Sequence, residues 1–195
     1  AKLVYFIDDI NLPEVDKYAT QSAIALLRQH LEYEHVYDLQ KLTAKNIGNT
    51  QLLACMNPTA GSFQICERAQ RQFATFALTM PTHGDLTVIF ESLMSGHVLG
   101  FSSGVVESVP KIVAASLQLF HDVSKKFLPS AVKFTYNWNL RELTNVFQGI
   151  CLMANNDFQD FHSVVKLWVH EFARVVSDRL FTTPELEVYE GLLKE

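Results

Sequence analysis

The first part of the chain combines short apolar runs with one amphipathic segment. Residues Leu3–Ile7 form a continuous apolar run, which predicts a strand buried on both faces, as in a parallel sheet. Apolar residues at helical spacing then predict a helix over residues 20–33. Residues 36–50 favour a small hairpin or a loop over a helix, and residues 51–56 predict a second buried strand. Strands separated by a helix indicate an α/β fold.

After the second strand the pattern predicts a loop, a short helix and a third strand. The loop covers residues 59–63, the helix residues 65–73 and the strand residues 74–80, where a proline follows. The helix carries Arg68 and Arg71, which are three positions apart. Both guanidinium groups are therefore expected on one face of the helix.

From residue 82 onward the apolar period changes to 3.6 residues, as in helices. Thr82 and Asp85 have the spacing of a capping box, and Pro110 suits the first position of a helix. Asn139, followed by Glu142, marks another helix start. This half of the chain is therefore predicted to be entirely helical.

The apolar stripes indicate which side chains these helices bury. The helix that follows Thr82 is expected to bury Leu86, Ile89, Phe90, Leu93 and Met94. The last long helix is expected to keep its charged side chains outside the core: Lys166, Glu171, Arg174 and Asp178. The change of period divides the chain into an α/β part, residues 1–81, and an all-helical part, residues 82–195.

Composition narrows the classes of function. Of the 195 residues, 48% are hydrophobic and 19% are charged, which is typical of globular domains. The 16 basic and 21 acidic residues give a net charge of −5, so no surface for nucleic acid or an anionic membrane is expected. No apolar run reaches the length of a membrane span. The three cysteines lack CxxC spacing, which predicts reduced thiols in a cytoplasmic protein.

Candidate chemistry lies where the predicted strands end. Asp8 and Asp9 follow the first strand, at the edge where open parallel sheets bind ligands. One carboxylate can hold a hydrated Mg²⁺ while its neighbour orients an attacking water, as phosphoryl transfer requires. A solvated acidic turn is the alternative. Asn57 follows the second strand and can hold a water or a phosphate oxygen, although Asn before Pro is also common in turns.

Three arginines add candidate positive charge. Arg68 and Arg71 are ordinary solvated side chains unless a neighbouring module brings phosphates to them, in which case one can act as an arginine finger. Arg141 lies in the first turn of a predicted helix, where the helix dipole disfavours a cation. The sequence shows no zinc, nucleophile-elbow or dinucleotide-binding motif.

The order of these elements resembles an AAA+ ATPase from Walker B onward. Longer strings are more specific and resemble the third AAA+ module of the dynein heavy chains of the axonemal type: FIDDINLPEVDKY at 6–18, ACMNPTAGSF at 54–63 and NLRELTNVFQG at 139–149. The resemblance covers almost the whole chain. It implies a partial P-loop ATPase core without its Walker A portion, followed by a helical lid.

The resemblance implies a role for each candidate at the strand ends. Asp8 would be the Walker B aspartate at Mg²⁺, and Asp9 would take the position of the water-activating acid. The family usually has Glu there, and the shorter Asp9 side chain predicts slow or absent hydrolysis. Asn57 would be sensor I.

The resemblance also assigns the arginines. Arg141 would be sensor II, contacting the nucleotide from the lid. Arg71 would be the finger that reaches the preceding module, with Arg68 as the alternate. Nothing in the chain matches GxxxxGK[ST], so we expect the phosphate cradle upstream of Ala1.

The resemblance therefore predicts Mg-ATP or Mg-ADP in the full-length protein and no tight nucleotide binding by this segment alone. The expected partners are neighbouring AAA+ modules of the same chain and, through the whole motor, microtubules. The expected location is the ciliary or flagellar axoneme, within the cytoskeleton. Two alternatives stay open: a ring element that transmits conformational change without hydrolysis, and a phosphoacceptor-aspartate domain.

Overall fold

The computed structural model describes residues 2–58 and 64–194. The chain forms two compact units, Ala1–Leu78 and Thr79–Glu195. A small parallel sheet lies in the first unit and only helices build the second, which confirms the predicted fold class. No helix within those described ranges is both long enough and apolar enough to cross a bilayer. The predicted loop at 59–63 lies outside the described residues.

A parallel pair of strands organises the first unit. Its elements in chain order are β1 (Leu3–Ile7), α1 (Ser22–Tyr33), β2 (His35–Tyr37), β3 (Ala44–Asn46), β4 (Thr50–Ala54) and α2 (Glu67–Gln70). β1 pairs with β4 in parallel, with Ile7 opposite Ala54, and β2 pairs with β3 as a hairpin, one of the two predicted alternatives. Because parallel strands end on the same side, the residues after β1 and β4 share one edge of the sheet.

The expectation that β1 is buried on both faces is wrong in this unit. Tyr5 is 48% exposed and Phe6 is 69% exposed. Among the described residues, β1 has a strand neighbour on one side only. The buried core of the unit is also small, because it consists of Ile10, Ile24 and Ala69 with partly buried side chains around them.

Two predictions near the end of the first unit need correction. The predicted helix over residues 65–73 is limited to α2, and Arg71 lies just after it. Residues 74–80 do not form the predicted third strand. Their apolar side chains are exposed, with Phe76 at 84% and Leu78 at 96%. A strand needs a hydrogen-bonding neighbour, and the described part of the chain provides none for this segment.

The described residues of the second unit form six helices: α3 (His83–His97), α4 (Ser103–Val106), α5 (Val109–Lys126), α6 (Leu140–Ile150), α7 (Phe161–Val175) and α8 (Thr183–Lys194). A 3₁₀ turn, Ser177–Arg179, lies between α7 and α8. The capping box of Thr82 and Asp85 is confirmed. Pro110 takes the second position of α5 rather than the first. The sequence did not predict α4 and α8.

The core of the second unit lies between α3, α5, α6 and α7. Phe90 of α3 stacks on Phe147 of α6, with ring centroids 4.1 Å apart. The buried stripe of α3 is narrower than predicted, because Ile89 and Leu93 are exposed. The prediction for Glu171 is also wrong: this carboxylate is buried, since Arg174 compensates its charge one turn later.

Candidate functional site

Asp8 lies in a turn directly after β1 and contacts the end of β4. Its Oδ1 atom accepts hydrogen bonds from the Asp9 backbone N–H and from the Cys55 thiol, each at 3.0 Å. The Asp8 carboxylate raises the pKa of that thiol, because the hydrogen bond and the negative charge both oppose thiolate formation. Oδ2 of Asp8 makes no hydrogen bond to any residue the structure describes. One carboxylate oxygen is therefore held by protein and the other is available.

The backbone of Asp9 has an unusual conformation. Its φ angle is +47°, in the left-handed region that residues other than glycine rarely adopt. Asp enters this region more readily than longer side chains because its carboxylate is short and can bond locally. Such conformations concentrate at functional sites, where surrounding contacts hold them. The exposed Asp9 carboxylate is thus placed by a specific turn, one residue beyond Asp8.

Asn57 lies at the same edge of the sheet as the two aspartates. Its backbone carbonyl accepts a hydrogen bond from Asn11 Nδ2 at 3.1 Å. Asn11 belongs to the turn after β1 and is only 4% exposed. The structure therefore brings Asp8, Asp9 and Asn57 together, as the parallel pairing of β1 and β4 predicts.

A shallow cavity of about 440 Å³ adjoins the acidic turn. Asp8 and Asp9 form its polar border, and the rest of its lining is apolar: Ile7, Ile10, Leu12, Pro13, Ala23, Ile24 and Leu27. None of these lining residues is basic. The cavity can accommodate an apolar group, but it offers no positive charge to a phosphate.

The two candidate finger residues differ in their contacts. Arg71 Nη2 lies 3.4 Å from Glu32 Oε1 of α1, and its side chain is 64% exposed. Arg68 is exposed on α2 and makes no ion pair or hydrogen bond within the ranges that the structure covers. The Glu32 side chain is only 11% exposed, but Arg28 and Gln72 also contact it, so its carboxylate keeps partners if Arg71 moves away.

Arg141 lies in the second unit, in the first turn of α6 as predicted. Its backbone N–H donates to the side chain of Asn139 at 2.9 Å, which confirms the predicted cap. Its guanidinium group is exposed, and across residues 2–58 and 64–194 it has no ion-pair partner. The next residue, Glu142, pairs instead with Arg179 at 2.6 Å. The helix dipole disfavours a cation at this position, and no described carboxylate pairs with it.

Sequence reasoning missed Cys55 and Asn11 as members of this site. It treated Cys55 only as one of three reduced thiols and gave Asn11 no role. The available signal was their position, because Cys55 lies near the carboxyl end of the second predicted strand and Asn11 lies two residues after Asp9. Which side chain each would contact depends on the register of β1 against β4, which a single sequence does not reveal.

The residues at this edge fit a Mg²⁺ ion shared with phosphates rather than a metal site of their own. The described residues include no group of three or more His, Cys, Asp or Glu side chains that can hold a metal. Mg²⁺ commonly keeps several waters and takes one or two carboxylates, together with phosphate oxygens of a nucleotide. The available Oδ2 of Asp8 meets that requirement.

Two family models match the chain. Residues 1–81 match the model described as P-loop containing dynein motor region, and residues 112–194 match the AAA+ lid domain. Together they span the sheet-bearing unit and most of the helical unit.

Relatives match along almost the whole chain. The ciliary dynein beta chain of Tripneustes gratilla is 44% identical over 196 residues, which cover 100% of this chain and 4% of the relative. The flagellar outer arm dynein beta chain of Chlamydomonas reinhardtii is 43% identical over 97% of this chain and 4% of its own length. Human dynein axonemal heavy chain 17 is 43% identical over 95% of this chain and 4% of its own length. The chain thus spans about 4% of the length of these relatives.

Proposed function

The chain belongs to the dynein heavy chain family, as part of the AAA+ motor region and its lid, and on this premise we propose that it forms part of a regulatory nucleotide site. We assign it to the third AAA+ module of an axonemal heavy chain. In that setting it supports ATP-driven movement along microtubules in a cilium or flagellum. Its immediate partners are the neighbouring AAA+ modules of the same heavy chain.

The observation that carries this proposal is the parallel pairing of β1 and β4. It places Asp8, Asp9 and Asn57 at one edge of the sheet, although Asn57 is 48 positions beyond Asp9 in sequence. Two acids and an amide at one strand edge are among the groups that bind a metal-bound triphosphate and orient a water.

Each of these side chains has a distinct part in the proposed site. Asp8 would hold Mg²⁺ through Oδ2, and the ion would supply positive charge against the phosphate oxygens. Asp9 would accept a hydrogen bond from the attacking water and later its proton. The Asn57 amide would hold the water or a phosphate oxygen.

Two arginines would complete the positive side of the site. Arg141 would contact the phosphates from the lid, and its lack of an ion-pair partner in the described structure supports that role. Arg71, with Arg68 as the alternate, would reach the nucleotide of the preceding module. Because Arg71 contacts Glu32 at 3.4 Å, that movement requires it to exchange one partner for another.

The phosphate cradle of this site has to come from residues outside this chain, because the chain contains no GxxxxGK[ST] sequence. We therefore expect no tight ATP binding by the 195-residue chain alone. Isothermal titration calorimetry with Mg-ATP tests this expectation. Micromolar affinity would contradict it.

The alternative of a ring element that never hydrolyses ATP is motivated by Asp9, whose side chain is one methylene shorter than the usual Glu. The family comparisons do not favour this alternative, and they argue against a phosphoacceptor-aspartate domain. Turnover at this module in the complete motor, compared between the parent protein and Asp9→Asn, separates hydrolysis from nucleotide binding alone.

The test of the proposed site uses the complete motor heavy chain and the probe 8-azido-ATP with Mg²⁺. Cross-linked peptides from this module, measured by mass spectrometry, report binding at this site and not at the other modules. We expect Arg141→Ala to weaken labelling by about tenfold, because a charged hydrogen bond to phosphate contributes about 1.5–3 kcal/mol.

Lys111→Ala is the matched control for that experiment. Lys111 is also an exposed cation in the first turn of a helix of the second unit, α5. Labelling should be unchanged in this variant. Equal labelling of Arg141→Ala and the parent motor would refute the proposed role of Arg141, and no labelling of this module in the parent would refute the nucleotide site itself.

A further inference from the structure

Cys55 contacts the candidate metal ligand, although the proposed chemistry gives it no part. Its thiol lies 3.0 Å from Asp8 Oδ1 and donates its hydrogen to that carboxylate. The side chain is at the exposed end of β4, and no disulfide engages it. A thiol is a weak donor that seldom determines packing at an exposed position. The contact therefore needs an explanation beyond burial.

Backbone hydrogen bonds from both the N–H and the carbonyl of Cys55 hold this residue beside Asp8. The Cys55 N–H donates to the carbonyl of Ile7 at 3.0 Å, and the Ile10 N–H donates to the carbonyl of Cys55 at 3.2 Å. These bonds connect Cys55 to the residue before Asp8 and to the residue after Asp9. The side chain of Asn11, in the turn after β1, donates a hydrogen bond to the Asn57 carbonyl, which lies beyond the end of β4. The ends of the two strands are thus joined by a side chain from each.

The consequence is that the two oxygens of Asp8 are not equivalent. Oδ1 accepts from Asp9 N–H and from the Cys55 thiol, whereas Oδ2 accepts from no described residue. A carboxylate fixed through one oxygen loses less rotational freedom when its other oxygen binds a cation. We propose that Cys55 is a positioning residue that holds Asp8 through Oδ1 and leaves Oδ2 for the Mg²⁺ of the nucleotide. This inference rests on the proposed function.

The experiment compares three variants of the complete motor heavy chain: Cys55→Ala, Cys55→Ser and Cys66→Ala. For each one, 8-azido-ATP labelling of this module is measured over a series of Mg²⁺ concentrations. The alanine variant removes the donor, and the serine variant restores one. Cys66 is an exposed thiol of the same unit without a hydrogen bond in the described structure, so its variant controls for loss of a thiol.

We expect Cys55→Ala to raise the Mg²⁺ concentration for half-maximal labelling by about fivefold, the effect of one hydrogen bond. Cys55→Ser should return it to within about twofold of the parent, and Cys66→Ala should leave it unchanged. Labelling in excess Mg²⁺ should be similar in all variants. A merely structural role for Cys55 would lower labelling at every Mg²⁺ concentration instead.

Three results would overturn the inference. An unchanged Mg²⁺ requirement in Cys55→Ala would reject the positioning role while leaving the nucleotide site intact. Equal defects in the alanine and serine variants would show that the donated hydrogen is not what matters. Labelling of the parent motor that does not depend on Mg²⁺ would reject the proposed function together with this inference.

Discussion

Among single residues, Cys55 shows how a neighbour changes ordinary side-chain chemistry. It is exposed at the end of β4, where a thiol would normally react freely with alkylating reagents. Instead the Asp8 carboxylate accepts its hydrogen and raises the pKa of the thiol. Because the thiolate is the reactive species, the contact should slow alkylation of Cys55.

We expect Asp8→Asn to increase the rate at which iodoacetamide modifies Cys55 at pH 8. The substitution removes the negative charge that opposes thiolate formation, so the pKa of the thiol falls and the thiolate fraction rises. Mass spectrometry of tryptic peptides resolves the rate for each cysteine of the 195-residue chain. Glu14→Gln, which neutralises another exposed acid of the first unit, is the control. Equal rates in parent and Asp8→Asn would contradict the contact.

At the residue scale the sequence identified candidates but not their contacts. The common position of Asp8, Asp9 and Asn57 at one edge of the sheet could be predicted. Each follows an apolar run, and the ends of parallel strands share an edge. The left-handed conformation of Asp9 was not predictable, because it depends on how the turn after β1 closes. The contact of Cys55 depends on strand register, which side-chain pattern alone does not define.

At the scale of elements, a glycine and a buried acid define how α6 packs on α7. A Cβ atom built on Gly149 would lie 1.9 Å from Glu171 Oε2. Glu171 is only 7% exposed, and its carboxylate pairs with Arg174 at 2.7 Å. Arg174 also donates to the carbonyl of Asn145 on α6. The absence of a side chain at Gly149 therefore makes room for the Glu171–Arg174 ion pair of α7 where this helix packs on α6.

We expect Gly149→Ala to lower the free energy of unfolding by about 2–3 kcal/mol, because the new methyl group displaces a buried, paired carboxylate. Gly96→Ala is the control, since Gly96 is also the penultimate residue of its helix, α3, and a Cβ there meets no atom within 4 Å. That change should be neutral or slightly stabilising. Urea denaturation followed by circular dichroism measures both. Similar midpoints for the two variants would show that Glu171 moves aside without cost.

A second element-scale feature is the network that attaches the start of α8. Glu185 accepts hydrogen bonds from Lys133 and from Tyr136 Oη, and Thr182 also donates to it. The Lys133 hydrogen bond is the main reason that the pKa of Glu185 falls to about 2, against desolvation that raises it. The Tyr136 hydroxyl in turn accepts from the backbone N–H of Phe181.

This network predicts part of the acid sensitivity of the chain. The folded protein binds the Glu185 proton more weakly than the unfolded chain, whose ordinary pKa is 4.5. Its stabilising contribution is therefore complete above pH 4.5 and is lost as the pH falls toward 2. We expect Glu185→Gln to be less stable than the parent at pH 7, with a smaller loss of stability between pH 4.5 and 2.

Chemical denaturation of the 195-residue chain over that pH range tests this expectation. Glu190→Gln is the matched control, because Glu190 is an exposed carboxylate of the same helix with no hydrogen bond or ion pair in the described part of the chain. Its pH dependence should follow the parent. Identical acid profiles for Glu185→Gln and the parent would remove Glu185 from the explanation.

Among elements, those defined by local signals were predicted best. Capping side chains at Thr82 and Asn139 specify helix starts through hydrogen bonds to nearby backbone N–H groups, so sequence alone reveals them. The failed strand over residues 74–80 has the right alternation but depends on a neighbour elsewhere. Burial of Glu171 was missed because its partner and the space at Gly149 come from tertiary packing.

At the scale of the whole molecule, the first unit is notable for the apolar side chains that it exposes. β1 is about half exposed, and near the end of this unit Phe76 is 84% exposed and Leu78 is 96% exposed. Exposed apolar side chains, and a strand with a described neighbour on one side only, both favour association between chains.

We expect the isolated 195-residue chain to associate as its concentration rises, and the double substitution Phe76→Ser with Leu78→Ser to reduce association. These side chains are almost fully exposed, so their replacement should not destabilise the fold. The matched control is Val132→Ser with Phe134→Ser, an exposed apolar pair of the second unit. Static light scattering over a concentration series measures the effect. A monodisperse parent monomer at high concentration would contradict the prediction.

The fold of the whole molecule was largely predictable, since the change of apolar period near residue 82 separates sheet from helices. The apolar pattern overestimated the size of the core in the first unit. Its apolar runs are typical of a sheet covered on both faces, but few described residues pack around them. The apolar composition of β1 therefore predicts a buried strand, although this strand is half exposed in the structure.

The space at Gly149 also affects how this segment can be re-engineered. A chimaera that exchanges α6 for the corresponding helix of another heavy chain, while retaining the present α7, should lose stability unless the donor helix has glycine at that position. Because Gly149 lies in α6 and Glu171 lies in α7, 22 positions later, the two helices are best exchanged together.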